Sequence, residues 1–144
     1  MRPEEFKPSN KAGVIPYFVK DEEIYMMFMV PSNPKFGGSS PQIAKGRVED
    51  GENIQEAALR EAEEELGLRL NNIESVIHVT TQILTGFDET YNFTLFAAKV
   101  SDPDNFGATD HEVGGRFWLT FDEFLQKGRS TQKSLVQLAY NKIK

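Results

Sequence analysis

GRVEDGENIQEAALREAEEELGL, residues Gly46–Leu68, is the stretch on which the reading of this chain turns. Its second half has helical periodicity from Ile54 to Leu66 and runs into Gly67, a residue suited to a left-handed helix C-cap. At about 100° per residue, Glu61, Glu64 and Glu65 share one arc of roughly 100°. Ala58, Leu59, Ala62 and Leu66 form the adjoining apolar face, with Glu65 at its edge. Glu61 and Glu65 are a like-charge i,i+4 pair, and Glu61 and Glu64 an i,i+3 pair. On an open helix each such pair costs a few tenths of a kcal/mol. Near a core edge the cost rises unless a cation stands between the carboxylates. Hard oxygen donors grouped this way suit Mg²⁺ or Mn²⁺ and not zinc. The helix alone also reads as the solvated acidic face of an amphipathic segment. Charge richness leaves Gly46, Arg60 and Gly67 at their spacing unexplained.

Outward from this stretch, strands dominate. Lys11–Lys20 and Ile24–Val30 read as strands joined by a turn at Asp21-Glu22-Glu23. Pro16 inside the first points to an edge strand or a bulge. The segment 31–41, rich in Pro, Gly, Ser and Asn, is a loop. Two longer strands follow, Ile73–Leu84 and Thr90–Val100, with Gly86-Phe87-Asp88 between them. A loop over 101–107, a short strand Arg116–Leu119 and helices Phe121–Lys127 and Thr131–Ile143 complete the chain. The pattern predicts a layered α/β domain, one domain over residues 1–144.

The bulk composition narrows the possibilities. A chain of 144 residues with 39% apolar and 26% charged residues is that of a folded domain, not a disordered segment. Without cysteine there is no disulfide, thiolate metal site or cysteine nucleophile, which fits a cytoplasmic setting. The first eleven residues have no apolar core of a secretory signal. No apolar run approaches the ~18 residues of a membrane span. The net charge of −6 makes the chain a poor binder of long nucleic acid. A small anionic ligand stays open, because a bound metal reverses the local sign of an acidic site.

Gly46, five residues, Glu52, seven residues, Arg60-Glu61-Ala62, one residue, Glu64-Glu65, one residue, Gly67-Leu68 resembles the signature box of the Nudix hydrolase family with every position filled. The resemblance implies an α/β/α sandwich with a mixed sheet. It also implies Mg²⁺-dependent hydrolysis of a pyrophosphate bond, with Mn²⁺ as a substitute. Glu61, Glu64 and Glu65 are then the metal-holding carboxylates, joined by the Lys45 backbone carbonyl, with Glu52 near the metal directly or through water. Arg60 pairs with a box carboxylate and orients it. A carboxylate must take a proton from the attacking water. Glu61 and Glu64 are the candidates inside the box, and Glu112 outside it, in the acidic loop Asp110-His111-Glu112.

Substrate choice lies outside the box. Phe36, Phe87 and Tyr91 stand where a base-stacking ring is expected, and the Lys45 side chain where one meets a phosphate. The stretch Pro41-Gln42-Ile43-Ala44-Lys45-Gly46 is similar to the Pro-Lys-Gly run of family members that act on dinucleoside polyphosphates or inositol pyrophosphates, with Ala44 in place of the proline. The tyrosine that dinucleoside-polyphosphate enzymes carry some 17 residues past the box is replaced by Leu84-Thr85-Gly86. The proline associated with ADP-ribose enzymes is missing too. The resemblance implies a small nucleotide partner, first a dinucleoside polyphosphate. ADP-ribose, a nucleoside triphosphate and a 5′-triphosphorylated RNA end stay open, the last through a basic patch at Arg47, Lys127, Arg129 and Lys133. A nucleotide-binding regulatory module without activity is the alternative class, and a homodimer is a common arrangement in the family.

Overall fold

A computed structural model describes residues 9–36, 38–85 and 89–144, with the backbone alone at Ser9 and Phe36. Six strands form one mixed sheet: β1 (Ser9–Lys20), β2 (Glu23–Pro31), β3 (Lys45–Arg47), β4 (Ile73–Thr85), β5 (Thr90–Val100) and β6 (Val113–Leu119). The order across the sheet is β4-β5-β1-β2-β6, and β3 also pairs with β1. β1 and β5 run parallel; every other pairing is antiparallel. Three helices, α1 (Ile54–Leu66), α2 (Phe121–Lys127) and α3 (Lys133–Ile143), cover the two faces.

The period-2 alternation of strand side chains sorts the core into two layers. On β1 and β2, Ile15, Met26 and Phe28 go to one layer, with Phe124, Val136 and Ala139 of α2 and α3. Their neighbours Val14, Met27 and Met29 go to the other, with Ala57, Ala58, Ala62 and Leu66 of α1. The result is the expected α/β/α sandwich. Alanines make up most of α1's buried face, so the helix lies close on the sheet. Ala57 is fully buried there, whereas Leu59 packs only partly. The opposite layer is anchored by Phe28 and Phe124, with ring centroids 4.3 Å apart. Truncating either ring to alanine is expected to cost about 3–5 kcal/mol.

Several boundaries differ from the sequence reading. β1 is the central strand and not an edge. Pro16 is accommodated because β1 changes partner around it: β3 pairs Lys11–Gly13 and β2 pairs Tyr17–Lys20 on that side. The β1–β2 turn uses two residues, Asp21 and Glu22, both with positive φ (52° and 69°), the twist that tight hairpins require. β3 is too short to show a period. β6 begins three residues earlier than expected, at Val113, because Gly115 and Val113 extend the ladder to β2 across a register shift at Gly114 instead of turning the chain. Residues Ser130–Gln132 form a 3-10 turn before α3. Among the described residues no helix is long and apolar enough to cross a membrane.

α1 is closed at both ends by local chemistry. The Asn53 side chain accepts from the Glu56 N–H at 2.8 Å, satisfying one of the four free amides of the first turn. Gly67 takes the left-handed conformation (φ 73°) and its N–H bonds back to the Glu63 carbonyl. The Arg116 guanidinium, reaching from β6, donates to the carbonyls of Leu66 and Gly107. The carbonyl end of α1 is thereby tied to the sheet.

Candidate active site

Arg60 is the hub of the acidic cluster on α1. Its Nε donates to Glu52 Oε2 at 2.7 Å and its Nη2 to Glu52 Oε1 at 3.1 Å, a two-point clamp. Nη1 donates to Glu61 Oε1 at 2.9 Å and reaches Glu64 Oε1 at 3.4 Å. Nη2 also donates to the Arg47 carbonyl at 2.9 Å, so one guanidinium joins β3, the loop after it and α1. The Arg60 hydrogen bonds hold the Glu52 carboxyl below the usual carboxylate range. Glu49 stands 3.7 Å away and is exposed.

Glu61 and Glu65 are in a different position. Burial pushes both carboxyls above the ordinary range, Glu65 to about 8, with Glu61 adding to the effect on Glu65. The Glu61 carboxyl lies on Gly46, where any Cβ would overlap it. Among the described residues the one buried side-chain oxygen with no hydrogen-bond partner is Glu65 Oε2. An orphaned buried acceptor beside a second buried carboxylate costs free energy that a cation would remove. In donor chemistry the pair therefore fits a hard divalent ion. Among the described residues no three acidic or histidine side chains converge as a ready-made metal site. Three of the box carboxylates, Glu52, Glu61 and, at a longer distance, Glu64, are engaged by Arg60.

Glu65 opens into a cleft of about 740 Å³, which Lys45, Tyr91 and Glu112 also line. Lys45 is partly buried, and its ammonium pKa falls to about 8, first through burial and then through the nearby cations Lys11 and Arg129. Tyr91 is 8% exposed, built into the start of β5, and it belongs to the core. Its ring meets the Lys11 ammonium at 4.3 Å and that of Lys45 at 5.6 Å. Glu112 is exposed on the rim. His111 is exposed and pairs with Asp110 at 2.9 Å. Glu64 is half exposed and, with Arg60 and Asp110, borders a second, shallower depression. The backbone N–H of Asp110 donates to the Glu64 carbonyl at 2.7 Å, fixing that loop to the helix. The rings of Phe36 and Phe87 lie outside the described residues.

Other cleft residues had no signal strong enough to single them out. Gln42, 5% exposed, accepts from Arg129 Nη1 at 3.2 Å. Gln132, equally buried, accepts from the Ile43 N–H at 2.8 Å. Lys11 and Glu89 form an ion pair at 2.7 Å, with Arg47 also on Glu89 at 3.2 Å. Arg47 and Arg129, two members of the basic patch weighed from sequence, thus have different local partners, Glu89 and Gln42.

The NUDIX domain family model matches residues 8–139, and the chain belongs to the Nudix family. Over 98 residues, 66% of its length, the chain is 30% identical to a Caenorhabditis elegans protein named Nudix hydrolase 3. The chain spans 40% of that relative's length. Among solved structures, a C. elegans Ap4A hydrolase binary complex superposes with a TM-score of 0.79 at 20% identity, covering 94% of this chain and 97% of that one. The NUDIX domain of Shewanella oneidensis NrtR, complexed with ADP ribose, gives 0.78 at 15% identity, covering 100% and 94%. At such identities the likeness establishes the fold.

Proposed function

We propose that this chain is a divalent-metal-dependent hydrolase that cuts a pyrophosphate bond in a nucleoside diphosphate linked to a further group, with a dinucleoside polyphosphate as the first substrate. One observation carries the reading: Glu61 and Glu65 are both partly buried on α1, Glu61 against Gly46 and Glu65 with its Oε2 unpartnered, where a cleft begins. A solvated acidic helix face has no reason to bury two carboxylates. The family membership supports the reaction class, and the likeness to an Ap4A hydrolase supports the substrate.

Glu61, Glu64 and Glu65 would hold the metal with the Lys45 carbonyl, and Glu52 would lie close by. A divalent ion held there would supply charge to offset the phosphates and to lower the pKa of a water. Arg60 positions Glu52 and Glu61 through its clamp and does not reach the substrate. Glu64 is the least restrained box carboxylate and is our choice to accept the water's proton; Glu112, on the rim of the cleft, is the second candidate. The Lys45 ammonium faces the cleft where a phosphate would enter. Tyr91 supports Lys11 and Lys45 from the core and, being built into β5, is a poor base-stacking platform.

The test is phosphate-product analysis on diadenosine polyphosphates, ADP-ribose, nucleoside triphosphates and capped or triphosphorylated short RNA, with and without Mg²⁺. Metal-dependent cleavage of the diadenosine substrates well above the others is the expected result. Preference for another member would replace the substrate. Absence of cleavage in both Mg²⁺ and Mn²⁺ would favour a binding module.

A further inference from the structure

The cleft has a second chemical character, remote in sequence from the box. Lys45 and Arg129 both line it, yet among the described residues neither forms an ion pair with a carboxylate. Several other cations around the site are matched, Lys11 and Arg47 to Glu89 and Arg60 to Glu52 and Glu61, whereas Lys35, also on the cleft, is exposed. The contrast is pronounced in a chain of net charge −6, where carboxylates outnumber cations. Arg129 is also held in place. Its N–H bonds the Pro41 carbonyl at 2.9 Å, and its Nη1 donates to the buried Gln42 side chain at 3.2 Å. Gln42 is itself fixed to β2 by two backbone hydrogen bonds with Met29, of 2.9 and 2.8 Å. A planar guanidinium fixed at one corner and facing a cleft has N–H groups arranged for two-point contact with phosphate oxygens.

We propose that Arg129, positioned by Gln42 and acting with Lys45, forms an anion subsite for a phosphate beyond the two that flank the scissile bond, so that the cleft selects substrates with three or more phosphates in the chain. The proposal rests on the hydrolase reading for its catalytic consequence, while the subsite itself is a property of the protein without metal. Lys45 follows directly on the Ala44 that leads into the Gly46 seat, so it serves the phosphate nearer the carboxylates. Arg129 enters from the turn between α2 and α3 and serves the phosphate further out. The same chemistry is offered by a dinucleoside polyphosphate and by an inorganic polyphosphate, and the two are separable by experiment.

Titration calorimetry of the whole protein in EDTA with inorganic tripolyphosphate, pyrophosphate and diadenosine tetraphosphate tests this. Tripolyphosphate is expected to bind more tightly than pyrophosphate. Arg129→Gln is expected to weaken tripolyphosphate by about tenfold or more, the loss of a charge-assisted contact, with Arg129→Lys recovering part of it. Tighter binding of the diadenosine compound than of tripolyphosphate would assign the site to nucleotides; the reverse order would assign it to inorganic chains. In Mg²⁺ turnover of diadenosine tetraphosphate, Arg129→Gln is expected to raise KM far more than it lowers kcat. Equal tripolyphosphate affinity in wild type and Arg129→Gln, with both melting cooperatively, would overturn the subsite, as would no binding to wild type. Failure of the hydrolase reading shows differently, as absent turnover of every substrate by wild type while tripolyphosphate still binds.

Discussion

The two walls of the cleft are built on opposite principles. On the α1 side Glu65 lines the cleft, backed by an acidic cluster from a single stretch, Glu49–Glu65, in which Glu49, Glu52, Glu61 and Glu64 gather round Arg60 and burial raises the carboxyl pKa values of Glu61 and Glu65. On the other side, Lys45 and Arg129 come from segments 84 residues apart, and among the described residues neither forms an ion pair, although Lys45 feels the charge of Glu65 and Glu89. One wall holds negative charge that asks for a cation, and the other holds positive charge that asks for an anion. A metal–polyphosphate complex satisfies both. Neither wall alone would discriminate such a ligand from a free metal ion or a free anion.

The largest expected effect comes from Glu64→Gln on the acidic wall. Turnover should fall by roughly a hundredfold or more if the proposed roles hold, because the substitution removes both a proposed metal ligand and a base candidate. Circular dichroism melting should stay cooperative, since Glu64 is half exposed and its Arg60 contact is long. Near-normal turnover with an intact melt would remove Glu64 from the machinery.

A middle-sized effect belongs to Glu65, where the two walls meet. In the metal-free folded protein its carboxyl keeps its proton up to about pH 8, against an ordinary value of 4.5. The folded state then binds more protons than the unfolded chain between those values. Stability therefore falls as pH rises from about 5 to 8. Glu65→Gln should flatten that fall and raise Tm at pH 8 by a few degrees in EDTA. Mg²⁺ or Mn²⁺ should raise the wild-type Tm at pH 8 and leave that of Glu65→Gln nearly unmoved. Parallel melting curves for the two proteins across this range would show that Glu65 is not the strained group. Glu61 contributes in the same direction, so the difference between the proteins, and not the wild-type slope, is the measurement.

The smallest effect is expected from Arg47→Ala. Its guanidinium is mostly exposed and shares Glu89 with Lys11, so urea-unfolding stability should change by less than about 0.5 kcal/mol. A larger loss would mean that the Glu89 cluster organises the cationic wall.

Legibility followed the same division. The α1 helix could be read to the residue, Ile54–Leu66, because its apolar spacing and Gly67 are local signals. Glu65's place at the edge of the apolar face already pointed to burial. β3 escaped, since three residues carry no period, and so did the reach of β6 past Gly114 and Gly115. Pro16 misled, because tolerance of a proline depends on which strand lies beside it, and partner strands are not written locally. Tyr91 was expected as a surface for a base and instead lies in the core beneath two lysines.

By itself the sequence determined the family and the grouping of the box carboxylates, because a helix converts spacing directly into a shared face and a box of 23 residues holds all its members. Only the tertiary structure decided which carboxylates are buried, which are engaged by Arg60, and that Gln42 and Arg129, 87 residues apart, meet in the same cleft. Burial and ion pairing depend on what packs against a side chain from elsewhere in the chain, and no local periodicity encodes that.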